Sequence, residues 1–152
     1  MRLWHYRLIP VLPNAMLISQ WREVIAIKRQ WEKGTLKHRL VSYVMDYDKG
    51  YYWNYFSMVL QELINRDIKY KQQYVDEINE FTKDGVNSKY YIYKEHNDRY
   101  LKQCYYNLQE KYDRGIITKE EWQKIYRYFY VDATEVTVGS INSTDFLKGK
   151  EV

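Results

Sequence analysis

The chain has 152 residues, of which 45% are hydrophobic and 29% charged, and its formal net charge is +4 at pH 7. This size is typical of one domain, and the composition excludes a chain that is disordered throughout. A single cysteine excludes an internal disulfide, and no apolar run approaches the roughly 20 residues that span a membrane, so we expect a cytoplasmic protein.

The first dozen residues are predicted to be extended, because Pro10 and Pro13 cannot open a long helix. Apolar residues then recur at helical spacing over 15–33, with Asn14 as a plausible N-cap and Gly34 as the end of the helix. A short helical piece is expected over 37–46. Its predicted buried side carries Leu40, Val41 and Val44.

The remainder up to Tyr130 is also predicted to be helical. Helices are expected over 51–65, 71–83, 97–114 and 118–130, with a turn at 84–88 and an extended link at 89–94. Their predicted capping residues are Asp48, either Asn97 or Asp98, and the capping-box pair of Thr118 and Glu121, with Gly115 following the third helix.

Helical periodicity stops after residue 130, where threonine, serine, asparagine and glycine dominate. A loose C-terminal tail is expected over 131–152, in which 135–138 could form a short strand. The sequence therefore predicts a mainly α fold. We expect a single compact helical domain over 1–130, with about five to six helices and an extended N-terminal segment.

The usual catalytic motifs are missing. There is no glycine-rich phosphate loop, no nucleophile elbow and no metal-binding histidine pair, and His5, His38 and His96 are too scattered to be grouped from sequence. The composition is more informative, because aromatic residues reach 18% with 18 tyrosines. Such a surplus suits broad contact surfaces, including surfaces on which nucleic-acid bases stack.

Two stretches carry a family resemblance: MRLWHYRLIPVLPNAMLISQWREV at the start and HNDRYLKQCYYNLQEKYDRGIITKEEWQKI from residue 96. Together they resemble the pyrimidine-dimer DNA glycosylase (phage endonuclease V-like) family, especially a subgroup of small proteins that begin MRLWHY. The shared marks are a basic N-terminus, an Arg-Glu pair at a fixed distance on the first helix, and a basic, aromatic C-terminal region.

The resemblance implies a DNA repair glycosylase with abasic-site lyase activity. Its nucleophile would be the α-amine of Met1, retained because Arg2 blocks aminopeptidase, and its essential carboxylate would be Glu23. An α-amine titrates about two and a half pH units below a lysine, so a useful fraction is neutral and able to form an imine at sugar C1′. A carboxylate nearby can accept a proton and stabilise the developing positive charge. No metal or organic cofactor is implied.

The resemblance also implies a partner, double-stranded DNA with a damaged or abasic site, bound by a monomer with no membrane contact. A nucleotide would be extruded from the duplex, because C1′ is hard to reach in a stacked helix. Met16 and Ala26 stand where the family has a His and an Arg, so the lesion is not set by the sequence. The residues predicted to contact DNA are Arg2, Arg22, Lys28, Lys111, Tyr126, Arg127 and Tyr128.

Two other functions fit the same residues. The first is a non-catalytic nucleic-acid-binding module that keeps the helical scaffold and its basic surface. The second is a protein-interaction domain that uses its tyrosines, with the positive charge incidental.

Overall fold

The computed structural model describes residues 1–86 and 91–132, and within these ranges the chain is helical and contains no strand. The mainly α prediction is therefore confirmed. The α-helices are α1 (Asn14–Glu32), α2 (Lys49–Asn65), α3 (Gln72–Phe81), α4 (Asp98–Asp113) and α5 (Lys119–Arg127). Shorter turns of 3₁₀-helix cover Tyr6–Val11 and Ser42–Asp46, and a π-helical turn follows α5 at Tyr128–Asp132.

The core lies between α1 and α2, with α3 packed on α1 and the 3₁₀-helix Tyr6–Val11 packed on both α2 and α5. The first dozen residues belong to this core, since Leu3, Leu8 and Leu12 are at most 1% exposed. Burying each such side chain contributes about 1.5–3 kcal/mol. The N-terminus is thus held by the same burial that holds the helices.

The predicted caps locate most helix ends correctly. Asp48 accepts from the Gly50 N–H at the start of α2, and Asn97, one of two candidates, accepts from the Tyr100 N–H at the start of α4. The Thr118 capping box is present at α5. Gly34 and Gly115 end their helices with φ of 74° and 77°, values that glycine adopts without steric cost.

Two local predictions are wrong. Asn14 is the first residue of α1 rather than its cap; the cap is Pro13, and the Asn14 Oδ1 accepts from Arg66 at 2.9 Å. The first dozen residues are not extended throughout, because Pro10 lies inside a 3₁₀-helix that its fixed φ tolerates. His5 caps that helix by accepting from the Arg7 N–H.

The 37–46 prediction is right in part. The helical turn covers only Ser42–Asp46, and Val41 and Val44 are buried, but Leu40 is 50% exposed. Residues 131 and 132 of the predicted tail belong to the π-helical turn; the rest of the tail, with its possible strand, and part of the predicted 84–94 link lie outside the described residues. Within the described ranges, none of the helices has both the length and the apolar character needed to cross a membrane.

Candidate functional site

The N-terminal lead (residues 1–5) is hydrogen-bonded to α1 through one buried glutamine. Gln20, which is 1% exposed, accepts from the Trp4 N–H at 2.7 Å and donates its Nε2 to the Arg2 carbonyl at 3.0 Å. The side-chain amide thus pairs with the lead much as a neighbouring strand would. Tyr55 on α2 adds a bond of 2.6 Å from its hydroxyl to the Trp4 carbonyl.

Glu23 lies one helical turn beyond Gln20 and faces the start of the lead. Its Oε2 accepts from the Arg2 N–H at 3.4 Å and is also 3.4 Å from the Gln20 Nε2. Consecutive backbone nitrogens are at most about 3.7 Å apart, so the Met1 amine lies within about 7 Å of this oxygen. The two predicted catalytic groups therefore lie on the same side of the lead and no more than about 7 Å apart.

A histidine that the sequence did not single out lies against the amine. The His38 Nε2 is 3.4 Å from the N-terminal nitrogen of Met1, and its Nδ1 accepts from the Leu40 N–H at 3.3 Å. His38 belongs to the exposed segment between α1 and the turn Ser42–Asp46. The site thus contains an amine, a carboxylate and an imidazole contributed by three separate parts of the chain.

The other two histidines, His5 at the end of the lead and His96, are buried together. The rings of His5 and His96 are stacked with centroids 5.4 Å apart, and the His96 Nδ1 accepts from the Tyr6 N–H. Burial, with repulsion from His96 and Arg7 as smaller causes, lowers the pKa of His5 to about 3. Burial also lowers the pKa of His96 to about 4. Both rings are therefore neutral near pH 7 and serve the backbone as hydrogen-bond acceptors.

The two arginines nearest Glu23 have different surroundings. Arg2 is half-buried, and its guanidinium lies 5.3 Å from the centroid of the Trp4 ring and contacts the Cys104 thiol. Arg22 is exposed. Of the two, only Arg22 presents its charge openly to a ligand.

Arg22 lines a cleft of about 390 Å³ beside α1. Three cationic side chains and two tyrosines border it, and its lining contains no carboxylate. The basic cleft, as we call it below, is formed by Ile18, Trp21, Arg22, Lys69, Tyr70, Lys71 and Tyr74. Such a concave cationic surface with aromatic walls has the chemistry that binds phosphates and stacks bases.

Lys28 has a structural partner instead. Its side chain is 7% exposed, and its Nζ is 2.9 Å from Glu32 and 3.3 Å from Glu77. Arg29 also pairs with Glu77, at 2.9 Å, and holds the pKa of that carboxyl below its usual range. This neutralised cluster does not favour the predicted contact of Lys28 with DNA.

The C-terminal candidates are placed on α4 and α5. Lys111 is half-buried in the last turn of α4, whereas Tyr126 is 48% exposed and Arg127 is exposed at the end of α5. Tyr128 is half-buried beside Arg7, and burial raises the pKa of its hydroxyl. Exposure thus favours Tyr126 and Arg127 as ligand contacts over Tyr128.

Several residues of the site were not predicted from the sequence. Gln20 precedes Glu23 by three residues, so the helical period alone puts it on the same side of α1. Lys69 and Lys71 alternate with tyrosine in the run IKYKQQY, a basic-aromatic interleaving typical of nucleic-acid contacts. His38 carries no such local signal, because only the fold brings it to the amine.

In the part of the chain that the structure describes, no cluster of three or more His, Cys, Asp or Glu side chains could hold a metal ion. No curated protein and no solved structure matches the chain significantly. The family profile described as pyrimidine dimer DNA glycosylase matches residues 1–76, which is half of the 152 residues and includes the lead, α1 and α2. The chain therefore belongs to the pyrimidine dimer DNA glycosylase family.

Proposed function

We propose that the protein is a DNA glycosylase and abasic-site lyase that uses the α-amine of Met1 as nucleophile and Glu23 as the assisting carboxylate. One observation carries the proposal: the Glu23 carboxylate accepts from the Arg2 N–H, the first peptide N–H after the amine. Family membership supports a DNA glycosylase in general. The imine mechanism rests on the juxtaposition of the two groups.

The chemistry needs one proton acceptor and one neutral amine. The amine lone pair forms a bond to C1′ while the bond from C1′ to the base breaks, and the departing base carries away the electron pair of that bond. The sugar ring then opens to an imine between Met1 and C1′. Glu23 removes a proton from C2′, and the resulting electron pair expels the 3′ phosphate by β-elimination.

The burial of the surrounding groups suits this role. Glu23 is half-buried, and its Oε2 is held by the Arg2 N–H and Gln20, so one carboxylate oxygen is oriented before substrate arrives. Because this oxygen is already positioned, less entropy has to be lost when the transition state forms. The lead itself is tied to α1 and α2, which fixes the peptide from which the amine projects.

DNA would be bound by exposed cations, of which Arg22 directly precedes Glu23 in the chain. Arg22, Lys69 and Lys71 face the basic cleft, and the proposal assigns them to phosphates of the duplex. Lys111, Tyr126 and Arg127 would extend the contact over α4 and α5. Arg2 and Tyr128 are weaker candidates because both are half-buried and contact other side chains.

Borohydride trapping on an oligonucleotide with one abasic site tests the mechanism. We expect the wild type to form a covalent adduct that peptide mapping assigns to the Met1 nitrogen. Glu23→Gln keeps the size and hydrogen bonding of the side chain but removes the proton acceptor, so strand cleavage should fall about 100-fold or more while duplex affinity is retained. Glu120→Gln, a change at an exposed carboxylate on α5, is the matched control and should cleave normally.

Three outcomes would contradict the proposal. A wild-type protein that retains duplex DNA in a salt-sensitive manner but never forms an adduct would be a binding module. A protein with neither adduct nor retention would be an interaction domain. Normal cleavage by a chain extended with two residues before Met1 would exclude the amine as nucleophile.

A further inference from the structure

His38 is held in place by its own backbone. The segment that carries it leaves α1 at Gly34, and Leu36 and Val41 on either side of it are buried. The His38 carbonyl accepts from the N–H groups of Val41 and Ser42, at 3.1 and 2.9 Å, which starts the turn Ser42–Asp46. The imidazole is therefore exposed at a fixed point of the backbone rather than at the tip of a loose loop.

One hydrogen bond sets the tautomer of this ring. The Leu40 N–H donates to the His38 Nδ1 at 3.3 Å, so Nδ1 offers its lone pair and a neutral ring carries its hydrogen on Nε2. The Nε2 lies 3.4 Å from the Met1 nitrogen. An Nε2–H group in this position can donate only to an amine that has a free lone pair, which is the form that reacts with a sugar carbon.

The geometry points to a second partner for this N–H during the reaction. When the amine bonds to C1′, its lone pair is no longer available to Nε2–H. The sugar oxygen O4′ is bonded to the same carbon, and two atoms on one tetrahedral carbon are only about 2.4 Å apart. A donor that contacts the nitrogen can therefore also contact O4′ when the sugar is oriented with O4′ toward His38 Nε2.

We propose that His38 is a catalytic hydrogen-bond donor whose Nε2–H moves from the Met1 amine to O4′ as the sugar ring opens. This inference rests on the proposed function. In the step it assists, the C1′–O4′ bond breaks and its electron pair stays on O4′, while the nitrogen lone pair completes the C1′=N bond. The nitrogen proton passes to Glu23 or water, and O4′ takes a proton from water.

A donor of this kind acts on charge that develops only in the transition state. The ground-state sugar oxygen is a weak acceptor, whereas the opening ring places negative charge on O4′, so the stabilisation is selective for the reacting species. A neutral imidazole suffices, because the role is to donate a hydrogen bond and not to release a proton. Loss of one such donor from a water-excluded site typically costs about 100- to 1,000-fold in rate, and an exposed donor such as His38 should cost less.

The test compares three variants in the full chain with abasic DNA. His38→Ala should lower kcat for strand cleavage by about 10- to 100-fold and leave KM within about three-fold. His38→Gln retains an N–H donor at a similar distance and should recover a large part of the loss, whereas the shorter His38→Asn should not. Circular dichroism confirms that each variant is folded.

A small aldehyde separates this step from imine chemistry in general. Glyoxylate has no sugar ring to open, so reductive coupling of glyoxylate to the Met1 amine should be as fast in His38→Ala as in the wild type, or faster. If the wild type forms an adduct with abasic DNA and His38→Ala matches its kcat, the role of His38 is refuted and the proposed function stands. An equal loss with DNA and glyoxylate would also refute it, because His38 would then serve only to place the amine. If the wild type forms no adduct with DNA, the proposed function itself fails.

Discussion

Acidification should destabilise the lead before it affects the rest of the fold. The folded-state pKa values of His5 and His96 lie at about 3 and about 4, against 6.5 for the unfolded rings. Above pH 6.5 both rings are neutral in both states, and the stability they contribute is complete. As the pH falls below 6.5, the two histidines bind protons in the unfolded chain but stay neutral in the folded chain. The free energy of unfolding therefore decreases until the pH reaches the folded-state pKa.

The size of this effect follows from the two pKa differences. Between pH 7 and pH 5 each ring lowers the free energy of unfolding by roughly 2 kcal/mol, so the pair accounts for roughly 3–4 kcal/mol. That is a large share of the usual stability of a domain. Asp48 and Glu77 also have lowered pKa values, but they change the free energy of unfolding mainly below about pH 5. The pH dependence between pH 7 and pH 5 is therefore due mainly to the two histidines.

Urea unfolding at pH 7, 6 and 5 measures the effect. In His5→Asn and His96→Asn the new Oδ1 keeps the acceptor for the Arg7 and Tyr6 N–H groups, and each change should remove about half of the pH dependence. Hydrogen exchange gives a local reading, since the amides of Tyr6 and Arg7 should lose protection first. A double variant with the same slope as the wild type would show that the buried rings do not resist protonation.

Two further predictions concern the site. Gln20→Met preserves volume but leaves the Trp4 N–H and the Arg2 carbonyl without partners, so the urea midpoint should report a loss of about 2–4 kcal/mol; an unchanged midpoint would mean that water replaces the amide. Arg22→Ala and Lys111→Ala should each flatten the dependence of log affinity on log salt by about one unit for duplex DNA, whereas Arg29→Ala, whose charge is already paired with Glu77, should change it little. If the salt dependence of all three variants equals that of the wild type, the DNA surface lies elsewhere.

Local signals in the sequence were sufficient for the helices. Asp48, Asn97 and the Thr118 box act within three residues of their own position, and apolar residues at helical spacing define which side of each helix is buried. The first helix was assigned the wrong cap because Asn14 has a distant partner. Its amide oxygen accepts from Arg66, 52 residues away, and Pro13 takes the cap position without a side-chain bond.

The candidate site depends on contacts that no local pattern contains. Glu23 was found from its distance to the N-terminus, whereas His38 reaches the amine only because the segment after α1 folds back, across 37 residues of sequence. Lys28 illustrates the opposite case. Its charge predicts a contact with DNA, but Glu77 from α3 supplies a half-buried partner that no pattern within α1 predicts.

The tyrosine surplus has a second use that composition did not reveal. Chain termini usually fray, because their backbone groups lack partners, yet here tyrosine hydroxyls donate to the carbonyls of the lead: Tyr55 to Trp4 and Tyr100 to Leu3, each at 2.6 Å. Burial raises the pKa of both hydroxyls, so both keep their protons. Together with Gln20, these side chains pair with the backbone N–H and C=O groups of the lead, as a neighbouring strand does in a sheet. The proposed nucleophile at Met1 would need this support, since a displacement of about 1 Å can cost roughly 100-fold in rate.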